Sequence, residues 1–445
     1  MRRKSGMIVA VLLSAGLLLS GCTTGGGGGA SGSGAAAQKT VVYWSMFNKG
    51  EPLQLVLEQM ISQFESENPD IKIEANWAGR DVLTKIQAAV SGGTPVDIVD
   101  QSNDRLQAAL VDNNLAVDLT SYLAQPAYGK TAGAWKDDFT PGSLEAFASG
   151  GKVYMIPRES YISGIWYNAG ILAAAGIKPT ATGMTWDTFV QMLATLKSKN
   201  PDIAPLGADA SVDFYNNWWF SYLAIRTAGL KAFQDAANDA TGNGWRAPEF
   251  LKAAQMVRQL QDAGYFQPDF QASVYPAMQA LFAQGQVAMF LNGAWIPKEV
   301  GPQLSSDFKL DVFAFPNVTG GKGNDLVEYW SNAFAVLNTG KQTDAAVTFL
   351  KFVMSKDKGG PMLSNAGFPI PLVGAATPPE YAGQVEILSK YQTIAQRGGL
   401  QGMASYAADV YNACDDPFFL MQTTPDAFID CLATSTAKYW ASHPK

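Results

Sequence analysis

Two carboxylates, Asp104 and Glu159, are the groups in this chain best typed for acid–base work, and a glycoside hydrolase needs no more than such a pair. Other catalytic chemistry lacks its residues. The single histidine, His443, stands in ASHPK at the end of the chain, which removes a Ser-His-Asp triad within a folded core and a multi-histidine zinc site. The sequence holds no GxxxxGK[ST], no HExxH and no GxSxG. A metal held by Tyr and Asp clusters is a third reading. The expectation is no catalytic residue, no cofactor and no metal.

The elements around Asp104 alternate between strand and helix. TVVYWSMFN near the start is β-branched and aromatic, as a buried strand requires, and it contains Trp44. Pro52 opens a helix whose Leu53, Val56, Leu57, Met60, Ile61 and Phe64 share one face, and Asn68-Pro69 closes it. Ile71, Ile73, Ala75 and Trp77 then alternate as a strand, and Val82, Leu83, Ile86 and Val90 mark a helix stopped by Gly92-Gly93. A strand over 96–100 and a helix over 104–112 follow. This order predicts an α/β body with a mostly parallel sheet, and ligands of such sheets meet the loops after the strands' carboxyl ends. Residues 44–49 and 101–105 therefore share one rim.

Glu159 belongs to a different feature. GKVYMIPRESYISGIWYNAGILAAAGI runs from a Gly150-Gly151 turn into an extended stretch containing Pro157, which denies a ladder its N–H and suits an edge or a crossing. The chain is expected to pass here from one lobe to another, with Arg158 and Glu159 where the lobes meet; the alternative is an ordinary edge strand and helix. A second α/β body follows. Thr185 is placed to cap a helix with Trp186, Phe189, Val190, Leu193 and Leu196 on one face. Residues 213–226 carry Tyr215, Trp218, Trp219 and Tyr222, and 287–291 read as a strand before Asn292-Gly293 and Trp295. Extended crossings are expected at 313–317 and 367–371, a strand over 328–337, and a helix from Thr424-Pro425-Asp426.

Composition sets the class. The 445 residues suit about two to three domains. A net charge of −7 without a Lys/Arg stripe argues against nucleic acid. Arg2, Arg3 and Lys4 precede an apolar run over 7–19 that is too short to span a bilayer and reads as an export signal. Leu19-Ser20-Gly21-Cys22 resembles a bacterial lipobox, with lipidation of Cys22; the alternative is a plain cleaved signal with an incidental cysteine. The Gly-rich stretch 23–37 is a flexible tether. Export also makes a Cys414–Cys431 disulfide chemically accessible, the alternative being two buried thiols.

Taken in order, TVVYWSMFNKG, SGGTPVDIVDQSNDRL, GKVYMIPRE with WYNAGILAAAGI, TWDTFVQMLATLK and GQVAMFLNGAW resemble the extracellular solute-binding proteins of the maltose-binding type, which serve ATP-driven (ABC) importers. The resemblance implies a type II periplasmic-binding-protein fold: two α/β lobes, each a mixed, mostly parallel sheet flanked by helices, joined by three hinge crossings around a ligand cleft. It divides the chain into a signal peptide (1–21), a lipidated cysteine and tether (22–38), lobe one (39–156 with 317–362) and lobe two (157–316 with 363–445). It carries over Asn48, Lys49, Asp104, Arg105, Glu159 and Trp295 as ligand-binding residues. Asn48 departs from the acidic residue of maltose-binding protein, so its contacts do not transfer unchanged.

A neutral sugar offers hydroxyls and an apolar C–H face, and so calls for carboxylates, cationic or amide donors and aromatic rings. The set above supplies them together with Trp218 and Trp219, of which a helix turns only one easily to the cleft. Trp44 and Tyr411 complete the candidates, each with a core-packing alternative. The expectation is a monomeric, lipid-anchored, extracytoplasmic binding protein that passes an oligosaccharide to permease subunits. The competing class is a secreted glycosidase using Asp104 and Glu159, whose separation would change whenever a hinge between them opened.

Overall fold

The computed structural model describes residues 38–210 and 213–444. Cys22, the export signal and the tether lie outside them. The strands that matter for the site are β1 (Lys39–Ser45), β2 (Ile71–Trp77), β3 (Ile98–Ser102), β4 (Met155–Pro157), β5 (Tyr161–Asn168), β6 (Ala204–Gly207), β7 (Val287–Gly293), β8 (Leu310–Phe313), β9 (Leu326–Trp330), β10 (Asn332–Val336) and β11 (Gln392–Ile394).

They form two sheets, ordered β2-β1-β3-β10-β4 and β11-β9-β5-β7-β6, with β8 also on β5. In the first, β2, β1, β3 and the edge strand β4 run one way, and β10, antiparallel to both of its neighbours, runs the other. In the second, only β11 on β9 and β6 on β7 are parallel. In each sheet a single strand, β10 in the first and β5 in the second, runs against all the others, which is the mixed, mostly parallel arrangement expected. These two strands come from the other lobe without a crossover helix, and they run antiparallel.

Pro157 ends the edge strand β4, where its missing N–H leaves no gap in the ladder. Arg158, Glu159 and Ser160 then carry the chain to β5 in the other sheet. The next passage differs from the sequence expectation. Residues 313–317 follow β8, which pairs with β5 inside the second sheet; the chain changes sheets at Ser331, between β9 on β5 and β10 on β3. The run expected as one strand over 328–337 is two strands in two sheets. Residues 367–371 are extended, and Pro369 and Pro371 accept from the N–H groups of Ser160 and Thr140 at 2.7 and 3.0 Å. Beyond them, Gly383 of the helix Ala382–Lys390 lies against Val312 of β8.

Helix α1 (Pro52–Glu67) buries Leu57, Met60 and Phe64 on the first sheet, with Phe64 edge-on to Phe349 at 5.2 Å. Helix α2 (Trp186–Lys199) is capped by Thr185, whose hydroxyl accepts from the Thr188 N–H at 3.2 Å. Helix α3 (Asp213–Ala228) is buried from Tyr215 to Ala228, its polar Asn216, Asn217, Ser221, Arg226 and Thr227 included, and Tyr222 stacks on Phe315 at 4.7 Å. Helix α4 (Pro425–Ser442) begins at the Thr424 cap and holds Cys431, which is bonded to Cys414 with Cα atoms 5.8 Å apart.

Candidate functional site

The loops after the carboxyl ends of β1, β2 and β3 supply Met46 and Phe47, Arg80, and Asp104 with Arg105, which line one side of a cavity of about 710 Å³. Gln101 and Ser102 from β3 and Asn332 from β10 complete that side. The opposite side comes from the second sheet: Tyr161 at the start of β5, Trp330 at the end of β9, Trp295 after β7, and Tyr215 and Trp218 from the first turns of α3. Gln396, Arg397 and Gln401, from the irregular segment Gln396–Gly402, close a third edge.

The second-sheet side is an aromatic wall. Tyr215, Trp218 and Trp295 hold their rings within 30° of one another at centroid distances of 5.7 to 6.2 Å. Trp330 meets Trp295 edge-on at 5.5 Å and stacks on Tyr161 at 5.3 Å. Local sequence sets this up. The Asn292 Oδ1 accepts from the Gly293 N–H at 2.8 Å and tightens the turn after β7. Gly293 is required there: a Cβ on it would stand 1.9 Å from the Trp295 ring, so the indole lies flat against bare backbone.

Beneath the wall, Glu328 of β9 is buried, and three donors converge on its carboxylate. The Trp218 Nε1–H donates to Oε2 at 2.6 Å, the Ser163 hydroxyl to Oε2 at 3.3 Å and the Arg397 N–H to Oε1 at 2.7 Å. Burial pushes the carboxyl up to about 7, against the pull of these donors. Glu299, which lines the cavity and accepts from Gln279 at 2.7 Å, is also raised by burial.

The opposite side is polar. Gln101 Nε2 donates to the Arg80 carbonyl at 3.0 Å, and Arg80 forms an ion pair with Glu51 at 2.8 Å. Asp104 Oδ1, Asn332 Oδ1 and Gln401 Oε1 are shielded acceptors with no hydrogen-bond partner among the described residues.

Of the residues picked from sequence, Asp104, Arg105, Trp218 and Trp295 line this cavity. The others stand elsewhere. Trp44 is still inside the β1 ladder, in register with Asn76 and Val99, and packs on the core. Asn48 and Lys49, farther along the loop after β1, are exposed and do not line the cavity, and Asn48 binds Glu51 at 2.7 Å. Trp219, next to Trp218 on α3, turns into the second core against Phe266 at 5.4 Å and Phe315 at 5.9 Å. Tyr411 is fully buried against Phe220, Phe233 and Trp245, because its helical neighbours Ala407, Ala408 and Asn412 take the cavity-facing side.

Glu159 is the largest departure. It is 1% exposed and accepts from Arg158 Nε at 2.9 Å, while Arg158 also pairs with Asp100 and sits between the rings of Phe47 and Phe334 at 5.0 and 5.1 Å. Burial raises the Glu159 carboxyl, with Arg158 opposing. Opposite charges adjacent in sequence satisfied each other inside the hinge rather than reaching for a ligand, so Asp104 and Glu159 form no carboxylate pair facing the cavity.

Sequence reasoning missed Arg80, Tyr161, Tyr215, Trp330, Asn332, Arg397 and Gln401. The rule that chose residues 44–49 and 101–105 extends to Arg80, in the loop after the parallel strand β2. Nothing of that kind marks Arg397 or Gln401.

Two sheets that the chain enters by turns through hinges, with a cavity walled by loops from both, define a two-lobed protein with a ligand-sized cavity between its lobes. The model for bacterial extracellular solute-binding proteins matches residues 48–359, and the chain belongs to that family. The multiple sugar-binding protein of Streptococcus mutans is 24% identical over 62% of this chain and 63% of its own length. The melibiose/raffinose/stachyose-binding protein MelE of Bacillus subtilis is 20% identical over 74% and 73%. Among solved structures, the solute-binding protein RafE in complex with raffinose superposes with a TM-score of 0.66 at 21% identity, covering 90% of this chain and 99% of that one.

Proposed function

We propose that the protein captures an oligosaccharide in this cavity and delivers it, unaltered, to the permease subunits of an ABC importer. It does so as a monomer held at the outer face of the cell membrane by lipid on Cys22. The observation that carries the carbohydrate is the division of the cavity: tiled aromatic faces from one lobe opposite Arg80, Gln101, Ser102, Asp104 and Arg105 from the other. Sugars have an apolar face and a rim of hydroxyls, and this cavity has one surface for each. Asp104 Oδ1, Asn332 Oδ1 and Gln401 Oε1 have no donor among the described residues, and sugar hydroxyls can donate to them. The relatives named for multiple sugars and for melibiose, raffinose and stachyose support the same class. Contacts to both lobes at once would shift the population toward a closed form for the permease to read.

Binding without turnover is supported by the burial of Glu159 on Arg158, which removes the Asp104–Glu159 pair that glycoside hydrolysis would have used. A thermal-shift screen over mono- and oligosaccharides tests the reading, since a ligand at a hundred times its dissociation constant stabilises by about 2.7 kcal/mol. A rise in Tm with one or more sugars, and recovery of the sugar intact after overnight incubation, is expected. Stabilisation by peptides or polyamines alone would move the ligand class, and released reducing ends would reinstate the hydrolase.

A further inference from the structure

We infer that Glu328, which touches no ligand itself, is the positioning residue that locks the aromatic wall to the 396–402 segment, and that sugar affinity depends on its being ionised. The inference rests on the cavity being the ligand site. Its geometry is specific. One carboxylate, in the middle of β9 and three residues before the Ser331 hinge, holds two cavity-lining residues from different elements: the Trp218 indole through Oε2 and the Arg397 backbone N–H through Oε1. Arg397 needs such a hold, because its φ of 50° lies in the left-handed region that a side chain disfavours.

All three groups aimed at the carboxylate donate, and two of them, an indole N–H and a backbone N–H, can do nothing else. Each oxygen has two lone-pair positions, so the donors fill both on Oε2 and one on Oε1. A proton on Oε2 makes Ser163 turn to accept it and leaves Trp218 a weaker, neutral acceptor, and a proton at the open position of Oε1 weakens the charge-assisted bond from Arg397 in the same way. Protonation loosens one cavity wall or the other. The other titratable and charged groups around Glu328 are the Arg397 side chain, Arg226 and Tyr222 from α3, and Tyr411, whose phenol is kept neutral by burial. None offers the carboxyl a second proton acceptor. Burial places the midpoint at about 7, within the range an exported protein meets.

The test has a ligand-free arm and a ligand arm. In uniformly ¹⁵N-labelled protein, the Trp218 Nε1–H signal, assigned by its loss in Trp218→Phe, is followed from pH 5 to 9 alongside the Arg397 amide. Both are expected to shift with one common midpoint near neutrality, and Trp218 is expected not to shift in Glu328→Gln. In the second arm, calorimetry with raffinose, or with whichever sugar raises Tm, is expected to show affinity falling up to about tenfold between pH 8 and pH 6, as the competent fraction falls. Glu328→Gln is expected to bind weakly with no such slope. Static signals, or signals with unrelated midpoints, overturn the inference even if sugars bind. An affinity slope that survives in Glu328→Gln assigns it to Glu299 or another group and also overturns it. Signals that titrate together while no sugar binds leave the positioning role standing and refute the carbohydrate reading instead.

Discussion

Asn103 and Ser331 are hydrogen-bonded in both directions: the Asn103 N–H donates to the Ser331 carbonyl at 3.0 Å, and the Ser331 N–H donates to Asn103 Oδ1 at 3.2 Å. Ser331 is where the chain changes sheets, and Asn103 is the residue before Asp104. The loop that presents Asp104 and Arg105 is thus fastened to a hinge, so a ligand that pulls on the loop acts directly on the hinge. Asn103→Ala leaves the buried Ser331 N–H without its acceptor and is expected to cost about 1–3 kcal/mol of stability. Denaturant unfolding measures that loss, and ligand affinity should fall with it.

Adjacent tryptophans on α3 separate binding from folding. Trp219→Ala empties a site in the second core and should destabilise by about 3–5 kcal/mol, with little effect on affinity in the protein that remains folded. Trp295→Ala, on the cavity side, should reduce sugar affinity tenfold or more, about 1.4 kcal/mol per factor of ten, at a smaller cost in Tm. Calorimetry paired with thermal unfolding distinguishes the two. Equal losses of affinity in both would mean that the aromatic wall is not the sugar platform.

Gly293→Ala tests the wall without removing a ring. The added methyl would overlap the Trp295 indole, which must swing away from Tyr215 and Trp218. Affinity should fall nearly as far as in Trp295→Ala.

The buried Glu328 also links stability to pH. Its carboxyl is raised in the folded protein from the ordinary 4.5 to about 7, so the folded form binds the proton more tightly than the unfolded chain. Its contribution is fully present below about pH 4.5, fades as pH rises to about 7 and is lost above that. Glu328→Gln should remove this part of the slope in a plot of unfolding free energy against pH. Affinity and stability therefore respond to this one group in opposite senses.

Reduction of the Cys414–Cys431 bond, whose cysteines are 17 residues apart, should lower stability by about 3 kcal/mol through the freed unfolded chain. Neither cysteine lines the cavity, and affinity at room temperature should be little changed. Denaturation with and without a reductant provides the comparison.

What the sequence made legible follows from periodicity. The β1-α1-β2 and β3 units alternate clearly, so the rule about carboxyl-end loops found Asp104, Arg105 and the neighbourhood of Met46 and Phe47. Trp44 failed because a strand residue one or two positions before its loop is still held in the ladder. The 328–337 stretch concealed a hinge: apolar residues on both sides of Ser331 are buried in their own sheets, so nothing in the pattern breaks where the chain leaves one for the other. The Gln396–Gly402 segment, with positive φ at Arg397, Gly398 and Gly399, has no periodic signal at all, and of its three cavity residues Arg397 is placed by a hydrogen bond to a distant element, Glu328 of β9. Arg158 and Glu159 were recognised as interlobe residues, but one-dimensional reading could not tell that Asp100 and two phenylalanine rings would enclose them.

A crystal structure grown with the sugar that gives the largest rise in Tm tests the central claim most directly. Density is expected in the cavity, with a pyranose face against Trp295 and hydroxyls within hydrogen-bonding distance of Asp104 and of at least one of Asn332, Gln401 and Arg397. Sugar bound on an outer surface, with that cavity filled only by water, would contradict it.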